Sequence, residues 1–130
     1  MTPAYCDASA IVKLGHPEPE SLDLIEYITE RQTSLATSVI ADVEVRRALH
    51  RLRSSGADVA EHVRGFFLLE LTSDIRDRAA KVGTPLLRAL DAIHVATALS
   101  VGRDLDFITY DDRLAAAARA EGLRVVQPGR

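Results

Sequence analysis

The sequence predicts an α/β protein: a five-stranded parallel sheet with helices on both faces, in three layers. Three observations predict it. Short β-prone runs alternate with helical runs along the whole chain, the pattern of a parallel sheet covered by its own crossovers. Glycine, proline and capping residues punctuate the runs at nearly every junction. No repeat, low-complexity tract or long linker divides the 130 residues, so the chain reads as one domain, 1–130.

In order, Ala4-Tyr5-Cys6 is a first strand ending at Asp7. Ala8 to Leu14 reads as a short helix stopped by Gly15, before Pro17 and Pro19. Ser21 to Arg31 has Leu22, Ile25 and Ile28 at helical spacing. Ser34 to Thr37 is a second strand, and Ser38 can cap a helix from Val39 to Arg53. Ser54-Ser55-Gly56 ends that helix, and Asp58 can cap a shorter one through Phe67. Leu68 to Leu71 is a third strand, and Thr72 or Ser73 caps a helix to Val82. Gly83-Thr84-Pro85 is a turn into a helix that Gly102 ends. Asp106 to Thr109 is a fourth strand. Asp111 or Asp112 opens a helix through Glu121, and Leu123 to Val126 is a fifth strand.

The sharpest signal lies in Leu90-Asp91-Ala92-Ile93-His94-Val95-Ala96-Thr97-Ala98. Leu87, Leu90, Ile93 and Val95 predict an inward-facing side, and Asp91 shares a face with Leu87 and Val95. An ionised carboxylate on an apolar face is costly unless a cation, a hydrogen-bond network or a metal compensates it. Arg88 and His94, each one turn away, are candidate partners.

Composition excludes several classes. Apolar residues make up 47% and charged residues 27%, ordinary for a globular protein. Charged residues break every apolar run, which excludes a membrane-spanning helix. The N-terminus lacks the basic and apolar regions of a signal peptide, and a single cysteine, Cys6, makes no internal disulfide. A cytoplasmic protein with Cys6 as a small buried apolar residue is expected. The net charge of −3 argues against a protein that coats nucleic acid. It leaves open an enzyme that reaches phosphates through a metal. The 14 Arg against 2 Lys fit bidentate binding of phosphate or carboxylate, but also a bias of the coding DNA.

In a doubly wound sheet, ligands bind beyond the carboxyl ends of the strands where the winding direction switches. Asp7 ends the first strand and Asp111 lies just past the fourth. Glu44 shares a helix face with Ile40 and Ala48, as Asp91 does with its apolar neighbours. Four such acids in one pocket repel, and divalent cations relieve the repulsion. All-oxygen donors suit Mg²⁺ or Mn²⁺ better than zinc. Two such ions, roughly 3.5–4 Å apart, activate water and stabilise the leaving oxygen in phosphodiester cleavage. Each residue has a plainer reading too. Asp7 and Asp111 can be helix caps, and Glu44 can be solvated or paired with Arg47 or Arg51. Arg46, Arg47, Arg51 and Arg53 can be an exposed basic face, and His94 a satisfied core histidine.

Together the motifs resemble a known family. Asp7-Ala8-Ser9-Ala10-Ile11-Val12-Lys13-Leu14 resembles the opening motif of PIN domains, specifically of the VapC-type toxins of bacterial toxin–antitoxin pairs. Glu44 falls where that family carries its second acid. The stretch Leu90 to Ala98 resembles the third motif, and Phe107-Ile108-Thr109-Tyr110-Asp111-Asp112-Arg113-Leu114 the fourth. The resemblance implies a metal-dependent endoribonuclease that cuts structured RNA such as tRNA or rRNA. It implies a homodimer, neutralised by a VapB-type antitoxin. It implies Asp7, Asp91 and Asp111 as metal ligands, with Glu44 as a further ligand or as the residue that orients water. Ser9 and Thr109 match supporting hydroxyls, and Asp112 is an accessory ligand or a cap. Lys13 and Arg113 are candidate contacts to RNA phosphates. Two rival readings remain: a receiver-like domain phosphorylated on aspartate, and a non-catalytic PIN-like binding domain.

Overall fold

The computed structural model describes residues 2–52 and 65–130. Five parallel strands form one sheet: β1 (Ala4–Cys6), β2 (Leu35–Ser38), β3 (Phe67–Leu69), β4 (Asp106–Ile108) and β5 (Arg124–Val126). Their spatial order is β3-β2-β1-β4-β5. The chain therefore winds outward from β1 through β2 to β3, then returns to the other side of β1 for β4 and β5. The winding switches between β1 and β4, where Cys6 pairs with Ile108. The crevice for a ligand opens there.

The described helices are α1 (Ala8–Gly15), α2 (Ser21–Arg31), α3 (Val39–Arg51), α4 (Ser73–Ala79), α5 (Ala89–Val101) and α6 (Asp112–Ala120). Strand alternation sorts them into two layers. Ala4, Cys6 and Ile108 face one side, packed with Ile11 and Val12 of α1, Leu24 of α2 and Val45 and Leu49 of α3. Tyr5 and Phe107 face the other, stacked on each other and packed with Val95 and Leu99 of α5 and Leu114 of α6. Truncating any fully buried large residue here, such as Ile11 or Leu114, costs about 2–5 kcal/mol through lost burial and the cavity left behind.

Most boundaries fall within two or three residues of expectation, and the caps explain why. Ser38, Thr72 and Asp111 each accept a backbone N–H of the helix they open. Five expectations need correction or fall outside the described residues. The third strand starts at Phe67 rather than Leu68, so no helix runs through Phe67. The third helix ends at Arg51 with Leu52 as its C-cap, short of Arg53, and the helix capped by Asp58 lies outside the described residues. The helix after Thr72 stops at Ala79, short of Val82. Leu90 does not face inward: it is 48% exposed, while residues 91–99 apart from Ile93 are buried. Helix α5 is buried nearly all round, packed against α4, α6 and β2, so a one-sided stripe was the wrong pattern for it. Cys6 is a free, fully buried cysteine, as expected. Among the described residues no helix is long and apolar enough to cross a membrane.

Candidate active site

Three acids stand at three helix N-termini around the switch point. Asp7 caps α1, Asp111 caps α6, and Asp91 lies in the first turn of α5. The backbone N–H groups and the helix dipole favour negative charge at each place.

Asp7 is the most enclosed, at 4% exposure. Ser9 Oγ donates to its Oδ1 at 2.7 Å, Thr109 Oγ1 to its Oδ2 at 2.9 Å, and the Ala10 amide to its Oδ1 at 3.2 Å. Burial raises its pKa, while the positive field of His94 and these hydrogen bonds pull it partly back. The ionised form is therefore under tension, and a nearby cation would relieve it. Thr109 ties Asp7 to the next acid, because its hydroxyl also accepts from the Asp111 amide at 3.1 Å. Ser9 ties α1 to the same loop by accepting from the Tyr110 amide at 2.9 Å.

Asp111 spends Oδ1 on capping, accepting from the amides of Arg113 and Leu114. Its Oδ2 faces Arg88, whose Nη2 lies 3.2 Å away. The Nε of the same guanidinium donates to Asp91 Oδ2 at 3.1 Å. Arg88 thus answers the question Asp91 poses, and joins it to Asp111 as well.

Glu44 approaches by a different route. Its Oε1 lies 2.7 Å from His94 Nε2, and His94 Nδ1 lies 2.7 Å from Tyr5 Oη. Burial raises the Tyr5 pKa far enough to keep the hydroxyl protonated. His94 thus links Tyr5 to Glu44 through its two ring nitrogens. His94 is a satisfied, fully buried histidine. Glu44 lines a groove of about 610 Å³ with Ser9, Arg47, Arg51, Tyr110 and Arg130. Asp91 and Arg88 line a neighbouring cavity of about 750 Å³ with Leu86, Leu87 and Arg113.

Two candidates have other occupations. Lys13 is buried, with Nζ 2.8 Å from Glu20 and 3.7 Å from Glu18 and over the Tyr110 ring. Its ammonium is committed to these acids, not offered to a passing phosphate. The Asp112 side chain is 88% exposed and pairs with Arg130 at 3.5 Å, which suits a surface pair better than a ligand. Arg113 is exposed at the cavity beside Asp91.

The donor set fits a hard divalent cation in kind, since every candidate oxygen is a carboxylate's. A cation already bridges two of them, which shows the position to be favourable for positive charge. As the side chains stand, no three His, Cys, Asp or Glu among the described residues form a ready metal-holding group. Neither the second partner of Arg88 nor the Tyr5–His94–Glu44 chain is visible in residue spacing. Strand alternation offered one hint, since it turns Tyr5 away from Cys6 and toward the helix that carries His94.

Comparison with known proteins follows the same outline. The family model described as PIN domain matches residues 4–120. Ribonuclease VapC46 of Mycobacterium tuberculosis (strain ATCC 25618 / H37Rv) is 40% identical, over 98% of this chain and 99% of its own length. Ribonuclease VapC35 of the same species is 38% identical over 96% of each. Among solved structures, DNA-bound VapBC from Salmonella typhimurium aligns with a TM-score of 0.74 at 17% identity, covering 98% of both chains. VapC20 of Mycobacterium tuberculosis, a toxin that cleaves the sarcin–ricin loop, aligns with a TM-score of 0.69 at 17% identity, over 88% of this chain and 94% of that one.

Proposed function

This chain belongs to the PIN-domain family, among its VapC-type members, and on that footing we propose that it is a Mg²⁺-dependent endoribonuclease, the toxin of a toxin–antitoxin pair. Family membership displaces the receiver-like reading. The observation that carries the proposal is the linkage of Asp7, Asp111 and Asp91 across the β1/β4 switch point through Thr109 and Arg88.

Asp7, Asp91 and Asp111 are the residues to hold Mg²⁺, or Mn²⁺ in its place. Bound there, such an ion supplies charge for the scissile phosphate and acidifies water. Ser9 and Thr109 fix the Asp7 carboxylate through its two oxygens. Outer partners of this kind orient a ligand and tune its basicity. Glu44, held by His94 at the groove wall, accepts a proton from water or completes the ligand set. Arg47 and Arg51 along the groove, with Arg113 beside Asp91, offer guanidinium groups to RNA phosphates. The substrate class is structured RNA, tRNA or rRNA; cleavage of the sarcin–ricin loop by VapC20 supports it by analogy. A VapB-type antitoxin, a homodimeric state, a single domain and a cytoplasmic location complete the reading. The VapBC complexes among the structural neighbours support the antitoxin.

The test is cleavage of total tRNA and ribosomal RNA with Mg²⁺ by the wild type and Asp7→Asn. The variant should lose more than the roughly 10–100-fold that removal of an outer partner costs. Equal rates overturn the acidic site, and a wild type that cuts neither RNA favours the non-catalytic PIN-like reading.

A further inference from the structure

We propose that Arg88 is an internal counter-cation of the acidic site: its guanidinium bridges Asp91 and Asp111 in the metal-free protein and leaves when a divalent cation binds. The inference rests on the metal-dependent reading above and adds a residue and an exchange to it.

The geometry separates what is fixed from what is free. Asp91 is buried on α5, and Asp111 is pinned at Oδ1 by two amides of α6. In both acids Oδ2 is the oxygen turned to Arg88. Removing the guanidinium therefore leaves two carboxylates in place with one oxygen each facing a common point. Arg88 itself is loosely held. Its side chain is 62% exposed, and its ion pairs are with these two carboxylates. Its backbone is extended at the N-cap of α5, outside the helix, and its side chain makes no capping bond. The guanidinium can swing without unwinding a turn. The adjoining cavity, lined by Gly83, Thr84, Leu86 and Leu87, gives it somewhere to go.

The chemistry makes the exchange competitive. An arginine keeps its charge at any working pH, so it cannot yield the position by losing a proton. It leaves only when a stronger cation takes its place. A divalent ion carries twice the charge on a smaller radius and suits carboxylate oxygens. Two opposite consequences follow for one residue. Arg88 stabilises the metal-free fold, and it weakens apparent metal affinity because the ion must first displace it.

The experiment is Mn²⁺ titration by calorimetry of purified full-length wild type, Arg88→Gln and Arg88→Lys, with thermal melts of each with and without Mn²⁺. Arg88→Gln should bind Mn²⁺ about tenfold tighter or more, the scale on which a charge at this distance shifts a neighbouring ionisation. Its metal-free melting temperature should fall, and its gain on adding Mn²⁺ should exceed that of the wild type. Arg88→Lys, which keeps the charge but not the fork, should lie between. In the wild type, the Arg88 Nε–H resonance should be protected without metal and exchange rapidly at saturating Mg²⁺, a readout that needs no variant to fold. Equal or weaker Mn²⁺ binding by Arg88→Gln, or an unchanged Nε–H signal at saturating Mg²⁺, overturns the exchange and leaves the nuclease reading standing. Absence of Mn²⁺ binding in wild type and variants alike overturns both.

Discussion

Two buried aspartates sit at opposite ends of the paired strands β1 and β4, and they are held in opposite ways. Asp106 opens β4 in register with Ala4 and is 6% exposed. Arg124 Nε donates to one of its oxygens and Tyr27 Oη to the other, both at 2.5 Å. Asp7 follows the last residue of β1 at the other end and is equally buried, but its hydrogen bonds come from two hydroxyls and an amide. At the first end a guanidinium closes the charge. At the second, Arg88 serves Asp91 and Asp111 instead. Burial therefore does not separate a carboxylate closed by a cation from one left open; the identity of its donors does.

The sharpest way to break this contrast is to neutralise each aspartate in turn. A carboxyl whose pKa the fold raises, as burial does for Asp7, binds its proton more tightly when folded. Its contribution to stability is complete below the ordinary carboxylate range and is lost as pH rises through the folded value. Metal-free wild type at pH 7 thus carries a cost that Asp7→Asn removes, and Asn caps a helix as well as Asp does. Asp7→Asn should melt higher than wild type at pH 7, and the gain should vanish near pH 4. Asp106→Asn should melt lower by several degrees, since Arg124 and Tyr27 lose a charged acceptor. Thermal melts in chelator at the two pH values decide it; shifts of the same sign at pH 7 erase the distinction.

A smaller effect sharpens the Asp7 side alone. Ser9→Ala and Thr109→Val each remove one hydroxyl from Asp7 and leave its charge. Each should reduce RNA cleavage by roughly 10–100-fold with the fold retained, the usual consequence of deleting a ligand's outer partner. Cleavage rates at fixed Mg²⁺, with circular dichroism as the folding control, measure this. Wild-type rates in both variants would make the two hydroxyls mere loop ties.

The contrast also marks what the sequence could carry. Periodicity and capping chemistry are local, so Ser21–Arg31, the Ser38 and Thr72 caps and the Asp7 and Asp111 ends were legible. Asp91 stood out because an acid interrupts an apolar face. Asp106 did not, because the first residue of a strand has no periodic frame to violate. Partner identity was not legible either. Thr109 meets Asp7 across 102 residues and Arg88 meets Asp111 across 23, and no spacing rule reaches that far. Lys13 follows an acidic motif and its spacing offers it to phosphate, yet Glu18 and Glu20, which flank Pro19, fold back onto it. Leu90 looked inward on a stripe model that a helix buried on nearly every side does not obey.

The smallest expected effect tests the closed end. Tyr27→Phe keeps the ring under Arg31, whose guanidinium lies 3.9 Å from its centroid, and removes only the hydroxyl that donates to Asp106. Loss of one such bond costs about 1 kcal/mol, while Arg124 still neutralises the carboxylate. The hydroxyl also leaves a signature in base. Burial and the bond to Asp106 push the Tyr27 pKa up to about 12. Its contribution to stability is complete below the ordinary phenol value of roughly 10 and is lost as pH rises through the folded value. Wild type should therefore lose its advantage over Tyr27→Phe between these two values, while the curves run parallel from pH 6 to 9. Urea unfolding across that range gives the measurement. A constant difference up to pH 12 would mean that the phenol spends little time on Asp106, and that Arg124 alone closes that end of the sheet.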